Sequence, residues 1–227
     1  MAKDYSVPVL PGEGEDDYAR YMRTDALLAL QRRPEEMAHR DELLFQTVHQ
    51  STELWLKHAC FEVRGATGHV RAGEPLAAAR LLGRAALGVD LVTGQLEMMR
   101  HLSPMGFQTV RGVLGHGSGF ESPGWRSVRE TSQELGIAFA ELAIDLGALY
   151  RGSEDAPLYR LAEAMVDWDE RVALWRARHY KVATRIIGHG VVGTKGTQVD
   201  VLGKLLGHKF FPELWQVRTE LTMAATG

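Results

Sequence analysis

The sequence predicts an all-α fold, a single-domain helical bundle, on three observations. Apolar residues recur at alternating steps of three and four along several long stretches. The clearest run is Leu161, Met165, Trp168, Val172, Trp175, then Val182 and Ile186, the spacing of one helical stripe. No stretch alternates apolar and polar residues as a half-buried strand does. No internal repeat and no obvious linker divides the 227 residues, of which 45% are hydrophobic and 24% charged, an ordinary globular balance.

Taken in order, residues 1–15 carry Pro, Gly and acids and read as a flexible N-terminal arm, leaving 16–227 as one domain. Residues 16–31 read as a helix with Tyr18, Tyr21 and Leu28 near one face, followed by the polar connection RRPEEMAHRDE. Residues 41–64 form a second helix with the seam Phe45, His49, Thr52, Leu56, Ala59, Val63. Residues 75–102 form a third, rich in Ala and Leu, whose Gly83, Gly88 and Gly94 weaken the expectation of a straight rod. The stretch 103–126 holds six glycines and two prolines, so loops are expected there, with one short helix in the middle. Residues 127–150 read as a fourth helix and 157–187 as the fifth and longest. A glycine-rich loop, GHGVVGTKGTQ, follows, then a short helix over 199–207. A last helical piece has Pro212 in its first turn, where the missing N–H costs nothing.

The formal net charge of −3 builds no broad basic field, so nucleic acid is not an expected partner. A single cysteine, Cys60, rules out an intrachain disulfide and a Cys-rich metal site. The N-terminal residues lack the basic-then-apolar order of a signal peptide, and no uncharged apolar run reaches the roughly 18 residues of a membrane span. A soluble cytoplasmic protein is expected, with no membrane partner.

Two histidines stand where the stripes call for an apolar residue: His179, between Trp175 and Val182, and His49, between Phe45 and Thr52. The other seven neighbour charges or glycines and are expected at the surface. Two seam histidines on separate helices fit a shared metal, a haem with a base on its opposite face, or two unrelated core residues satisfied by hydrogen bonds. Zinc lacks its usual companions, with no HExxH and no cysteine set. A di-iron bundle wants two Glu-x-x-His motifs, and no second one exists. One axial histidine on a haem fits the count better. Arg111, in the apolar run from Phe107 to Leu114, reads either as a surface arginine at a helix end or as a bidentate fork for a carboxylate. GVVGTKGT lacks the order of a P-loop and no strand precedes it, so nucleotide binding is not expected.

YARYMRTDALLALQ, DELLFQTVHQSTELWLKHACFEV, MGFQTVRGVLGHGSGFES, LWRARHYKVATRIIG and FFPELWQVRT together resemble segments of the tryptophan 2,3-dioxygenase family, in the same order. The resemblance covers most of the chain outside roughly 127–156. It implies an all-helical bundle with haem b between the helices, a homo-oligomer (tetramer or dimer), and insertion of O2 across the indole C2–C3 bond of L-tryptophan. It also implies roles. His179 matches the axial iron ligand, His49 the catalytic histidine near the indole N–H, and Phe45 a wall of the indole pocket. Arg111 matches the partner of the substrate carboxylate, and Thr194 a contact to the amino acid's polar end. Tyr18, Tyr21 and Met22 match a helix that completes a neighbouring subunit's active site.

The sequence departs from that family in two places. The loop after the axial helix reads GTKGTQV where the family has a pattern like GTGGSSG, and a helical insert of several tens of residues is missing between GSGFESPGWR and LYRLAEAMVDW. Shorter members of the wider histidine-ligated haem superfamily put one oxygen atom on a tryptophan derivative, giving a 2-oxindole, or hydroxylate another aromatic amino acid. A monooxygenase or hydroxylase of natural-product biosynthesis is therefore the alternative to a dioxygenase, and a non-catalytic haem sensor a lesser one.

Overall fold

The computed structural model describes residues 6–193, 196 and 198–226. Among these, helices account for all regular structure, and extended pairing is limited to one isolated antiparallel bridge between Val192 and Gln198. The helices are α1 (Asp17–Met22), α2 (Thr24–Leu28), α3 (Glu42–Arg71), α4 (Pro75–Met99), α5 (Pro104–Val113), α6 (Pro123–Ala140), α7 (Leu146–Arg151), α8 (Pro157–Ile187), α9 (Val201–Lys204) and α10 (Pro212–Thr226).

Local chemistry starts and stops these helices. Proline stands in the first turn of α4, α5, α6 and α8. Ser103 and Ser122 cap α5 and α6 by accepting from Gly106 N (2.9 Å) and Trp125 N (3.1 Å). α8 ends at Gly188, whose φ of 85° an L side chain rarely adopts.

Four long helices make the bundle: α4 packs between α3 and α8, and α6 lies against α3. The main core joins Leu56 and Val63 of α3, Leu82 and Val89 of α4, Leu135 of α6 and Met165 of α8, all fully buried. Each such side chain contributes about 1.5–3 kcal/mol of burial. Trp168 lies in the same core and donates its indole N–H to Ser132 Oγ at 2.9 Å, so the largest buried ring is also satisfied. A smaller apolar cluster, Val48, Leu96, Met99, Leu102, Val182 and Ile186, sits at the other end of α3 and α8 and forms the ground for the histidines.

Several boundaries differ from the sequence expectation. The helix expected over 16–31 breaks into α1 and α2 at Arg23, a non-glycine in the left-handed region (φ 54°). α3 runs to Arg71 rather than 64. Gly65 carries it on by close approach: a Cβ there would meet Leu81 Cδ1 at 2.9 Å, so glycine lets α3 and α4 touch. α4 is unbroken despite its glycines, and Gly88 faces the Ala59 methyl across the same contact. The stretch 103–126 is more helical than expected, with ten residues in α5 and the first turn of α6. The helix expected over 127–150 is interrupted between α6 and α7, where Ala143 takes φ 50°. The expected helix over 199–207 is α9 followed by a 3₁₀ turn, Leu205–Gly207. α8 matches its expected span, and α10, expected within KFFPELWQVRTEL, starts at Pro212 and runs on to Thr226. No helix among the described residues is long and apolar enough to cross a membrane. Cys60 is buried and forms no disulfide.

Candidate active site

α8 places His179 one turn beyond Trp175, on the stripe that carries Trp168 and Val172 into the core. The His179 ring stacks on Trp175, 4.8 Å between centroids and 8° from parallel. Burial pushes its pKa down to about 4, with the nearby His49 a second cause, so the imidazole is neutral at physiological pH. Neither ring nitrogen has a hydrogen-bond partner among the described residues. A neutral imidazole with free lone-pair access is equipped to ligate a metal. Beside it, the indole N–H of Trp175 is buried without an acceptor among the described residues, a state that costs about 1–3 kcal/mol unless a bound group answers it.

α3 supplies the opposing histidine. His49 Nδ1 lies 2.7 Å from the Phe45 carbonyl oxygen, which can only accept. The proton therefore sits on Nδ1, and Nε2 keeps its lone pair. The expectation of a core-buried seam residue is corrected here: His49 is exposed at the surface of this chain rather than filling the core. Enough protein still crowds the ring for desolvation to lower its pKa, against the upward pull of the Phe45 carbonyl and the Glu53 charge. The Phe45 ring lies over His49 (4.1 Å between centroids) and meets Phe107 of α5 at 5.9 Å.

Arg111 stands one turn after Phe107 on α5 and donates to the Val192 carbonyl at 2.7 Å. Its fork thus reaches the loop after α8 rather than capping its own helix. That loop is pinned at its base by Asp200, which accepts from Gly190 N (3.0 Å) and Tyr180 Oη (3.2 Å) and lies 3.4 Å from His189 Nδ1. These donors, the Gly190 amide first, hold the Asp200 carboxyl below its usual range. Val199 N closes the loop on the Val191 carbonyl at 3.0 Å.

Phe45, Phe107 and Trp175 thus pack against the smaller apolar cluster, with His49 against the Phe45 ring and His179 against Trp175, while Arg111 meets the loop after α8. Thr194 lies outside the described residues. Tyr18, Tyr21 and Met22 do not join the site in this chain. Their side chains are 66%, 75% and 52% exposed on α1, a helix with no buried residue. Of the seven histidines expected at the surface, His39, His58 and His69 are half-buried and the rest exposed. His69 pairs with Glu74 at 2.6 Å and His58 lies 3.6 Å from Glu62. Among the described residues no three His, Cys, Asp or Glu side chains converge as a metal cage.

Two features escaped the sequence reading. Glu53 accepts from Gly124 N (2.8 Å) and from the Ser122 hydroxyl, tying the start of α6 to α3. Trp125, two residues into that helix, stacks on Trp175 at 3.8 Å. Glu53 had a local signal, four residues after His49. The Trp125–Trp175 contact spans fifty positions and had none. A cleft of about 720 Å³ lined by Ile137, Phe139, Met165, Phe211 and Leu214 includes neither His49 nor His179, and no histidine pair faces it.

The model of the tryptophan 2,3-dioxygenase family matches residues 7–138, more than half of the chain. The chain belongs to the tryptophan 2,3-dioxygenase family. It is 31% identical to the tryptophan 2,3-dioxygenase of Saccharopolyspora erythraea, with 91% of this chain and 93% of that protein covered. It is 30% identical to that of Xanthomonas euvesicatoria pv. vesicatoria (92% and 89% covered) and 28% identical to that of Bacillus thuringiensis subsp. konkukian (90% and 92% covered). The alignment with the Saccharopolyspora protein runs over 264 positions, more than the 227 residues of this chain, so that relative carries segments this tryptophan 2,3-dioxygenase family member lacks.

Proposed function

We propose that residues 16–227 form one oxygenase domain that binds haem b through His179 and uses O2 to open the indole C2–C3 bond of L-tryptophan or a close derivative. One observation carries the reading: two differently prepared neutral histidines face one apolar cluster from separate helices. His179 has no hydrogen-bond partner on either ring nitrogen among the described residues, and His49 is oriented with Nε2 keeping its lone pair. The residues present fit haem. An apolar cluster, a neutral imidazole and a buried indole donor lacking an acceptor among the described residues suit a flat group that brings both a metal and polar edges. When bound, haem supplies an iron centre at which O2 is activated.

The chain's own residues do the rest. The lone pair on His49 Nε2 accepts the indole N–H, or takes its proton, because Nδ1 already donates to the Phe45 carbonyl. Phe45 and Phe107 offer ring faces to the indole and exclude water. The Arg111 guanidinium has donors to spare beyond the one given to Val192 and pairs with the substrate carboxylate, with Thr194 beside the amino group. Fixing both ends of the substrate lowers the barrier by several kcal/mol through orientation alone. The exposed Tyr18, Tyr21 and Met22 complete a neighbouring subunit's pocket in a homo-oligomer, a placement their exposure on α1 supports.

A second reading, single-atom insertion by a monooxygenase, is favoured by the GTKGTQV loop and the shortened chain. The axial assignment is tested by titrating the protein with haemin. Wild type should give a histidine-ligated Soret spectrum, and His179→Ala should lose or strongly shift it. An unchanged spectrum in the variant would remove His179 from the iron.

A further inference from the structure

We propose that Trp175 and Trp125 are positioning residues that fix the plane of the His179 imidazole, and that Glu53 anchors this stack to the helix bearing His49. The proposal rests on the reading of His179 as the axial ligand.

An imidazole on a helix turns about its last side-chain bond over a broad torsional well, so a ligating ring needs a hold. The usual hold is a hydrogen bond from the second ring nitrogen to a carboxylate or carbonyl, which also makes the ligand more basic. His179 has no such partner among the described residues. What touches it is a face. Trp175, one turn earlier on α8, lies 8° from parallel with a centroid separation of 4.8 Å. Among the described residues Trp175 is not held by a hydrogen bond of its own, since its N–H has no acceptor there. Trp125 covers it instead, at 3.8 Å and 34°.

Trp125 owes its place to the first turn of α6. Its amide donates to the capping Ser122 hydroxyl at 3.1 Å, and that hydroxyl and the Gly124 amide both bond Glu53 of α3. The turn is seated without slack. A Cβ on Gly124 would meet Glu53 Oε2 at 2.6 Å and Leu56 Cδ1 at 2.8 Å. Glu53 is one turn along α3 from His49. The path therefore runs from the helix of one histidine, through the cap of α6 and two indoles, to the ring of the other. Contact alone sets the imidazole plane, and orientation comes without the added basicity a carboxylate partner brings.

The test uses haem-loaded protein, comparing wild type with Trp125→Leu, Trp125→Phe and Glu53→Gln. The readouts are the iron–histidine stretching band of the ferrous form by resonance Raman and the rate of haem transfer to apomyoglobin. Trp125→Leu removes the ring that covers Trp175 and leaves Trp175 itself in place. It should broaden or split the band and speed haem loss about tenfold or more, the scale expected when an outer partner of a metal ligand is removed. Trp125→Phe should restore both toward wild type, and Glu53→Gln, which leaves every ring in place, should shift them in the Trp125→Leu direction by less. A lower melting temperature with an unchanged band and haem-loss rate in both Trp125→Leu and Glu53→Gln would show a merely structural role and overturn the proposal. If Trp125→Leu does not fold, Glu53→Gln decides alone. Should wild type itself lack an iron–histidine band, the axial reading of His179 fails first, which separates the two failures.

Discussion

Gly124→Ala perturbs the junction on which the site depends, and its size follows from three distances. The added methyl would lie 2.6 Å from Glu53 Oε2, 2.8 Å from Leu56 Cδ1 and 2.9 Å from Leu56 Cβ. Carbon–carbon contacts are comfortable near 3.5–4.0 Å, so about 0.7 Å must be found. Leu56 cannot supply it, being fully buried in the main core. The carboxylate can rotate away, but only by giving up the Gly124 amide and the Ser122 hydroxyl. The first turn of α6 therefore lifts from α3. Overpacking of this kind costs about 1–3 kcal/mol, and the weakened bonds to a charged acceptor add about 1 kcal/mol. A total of about 2–4 kcal/mol corresponds to a melting temperature lowered by roughly 4–16 °C for a chain of this size. Thermal unfolding followed by circular dichroism reads it directly. A shift within about 2 °C of wild type would show that α6 has room to move and that the seat inferred at Gly124 is not tight.

Three further outcomes are expected. Arg111→Leu should raise KM for L-tryptophan by about ten- to a hundredfold, the worth of a hydrogen bond to a charged group, while leaving KM for tryptamine, which lacks the carboxylate, nearly unchanged. Equal effects on both would remove Arg111 from the carboxylate. Because burial depresses the pKa of His49, the neutral, accepting form persists below the ordinary histidine range. The acid limb of kcat/KM should therefore fall below pH 6.5, and a limb at or above that value, absent in His49→Phe, would contradict the assignment. Ser132→Ala orphans the Trp168 N–H in the core and should destabilise by about 1–3 kcal/mol with little change in the haem spectrum, measured by denaturant unfolding.

What the sequence disclosed depended on periodicity and on caps. α8 was legible end to end because its stripe is regular, Pro157 opens it and Gly188 closes it. His179 was legible as an oddity, since it interrupts that stripe. The breaks at Arg23 and Ala143 were not, because both take left-handed backbone without the glycine that usually signals it. The continuation of α3 through Gly65 was hidden for the opposite reason: that glycine serves the contact with Leu81 rather than a turn. His49 reads like a core residue in the pattern, yet is exposed, because periodicity reports a face and not what covers it. The Asp200 latch and the Trp125–Trp175 stack join distant segments, and only packing reveals them.

The product that the reduced, haem-loaded protein forms from L-tryptophan under ¹⁸O-labelled O2 decides between dioxygenation and single-atom insertion. Dioxygenation predicts a ring-opened product carrying two labelled oxygen atoms, with turnover abolished in His179→Ala. One labelled atom would make this a monooxygenase on the same scaffold, and no haem-dependent product from any indole amino acid would contradict the oxygenase reading itself.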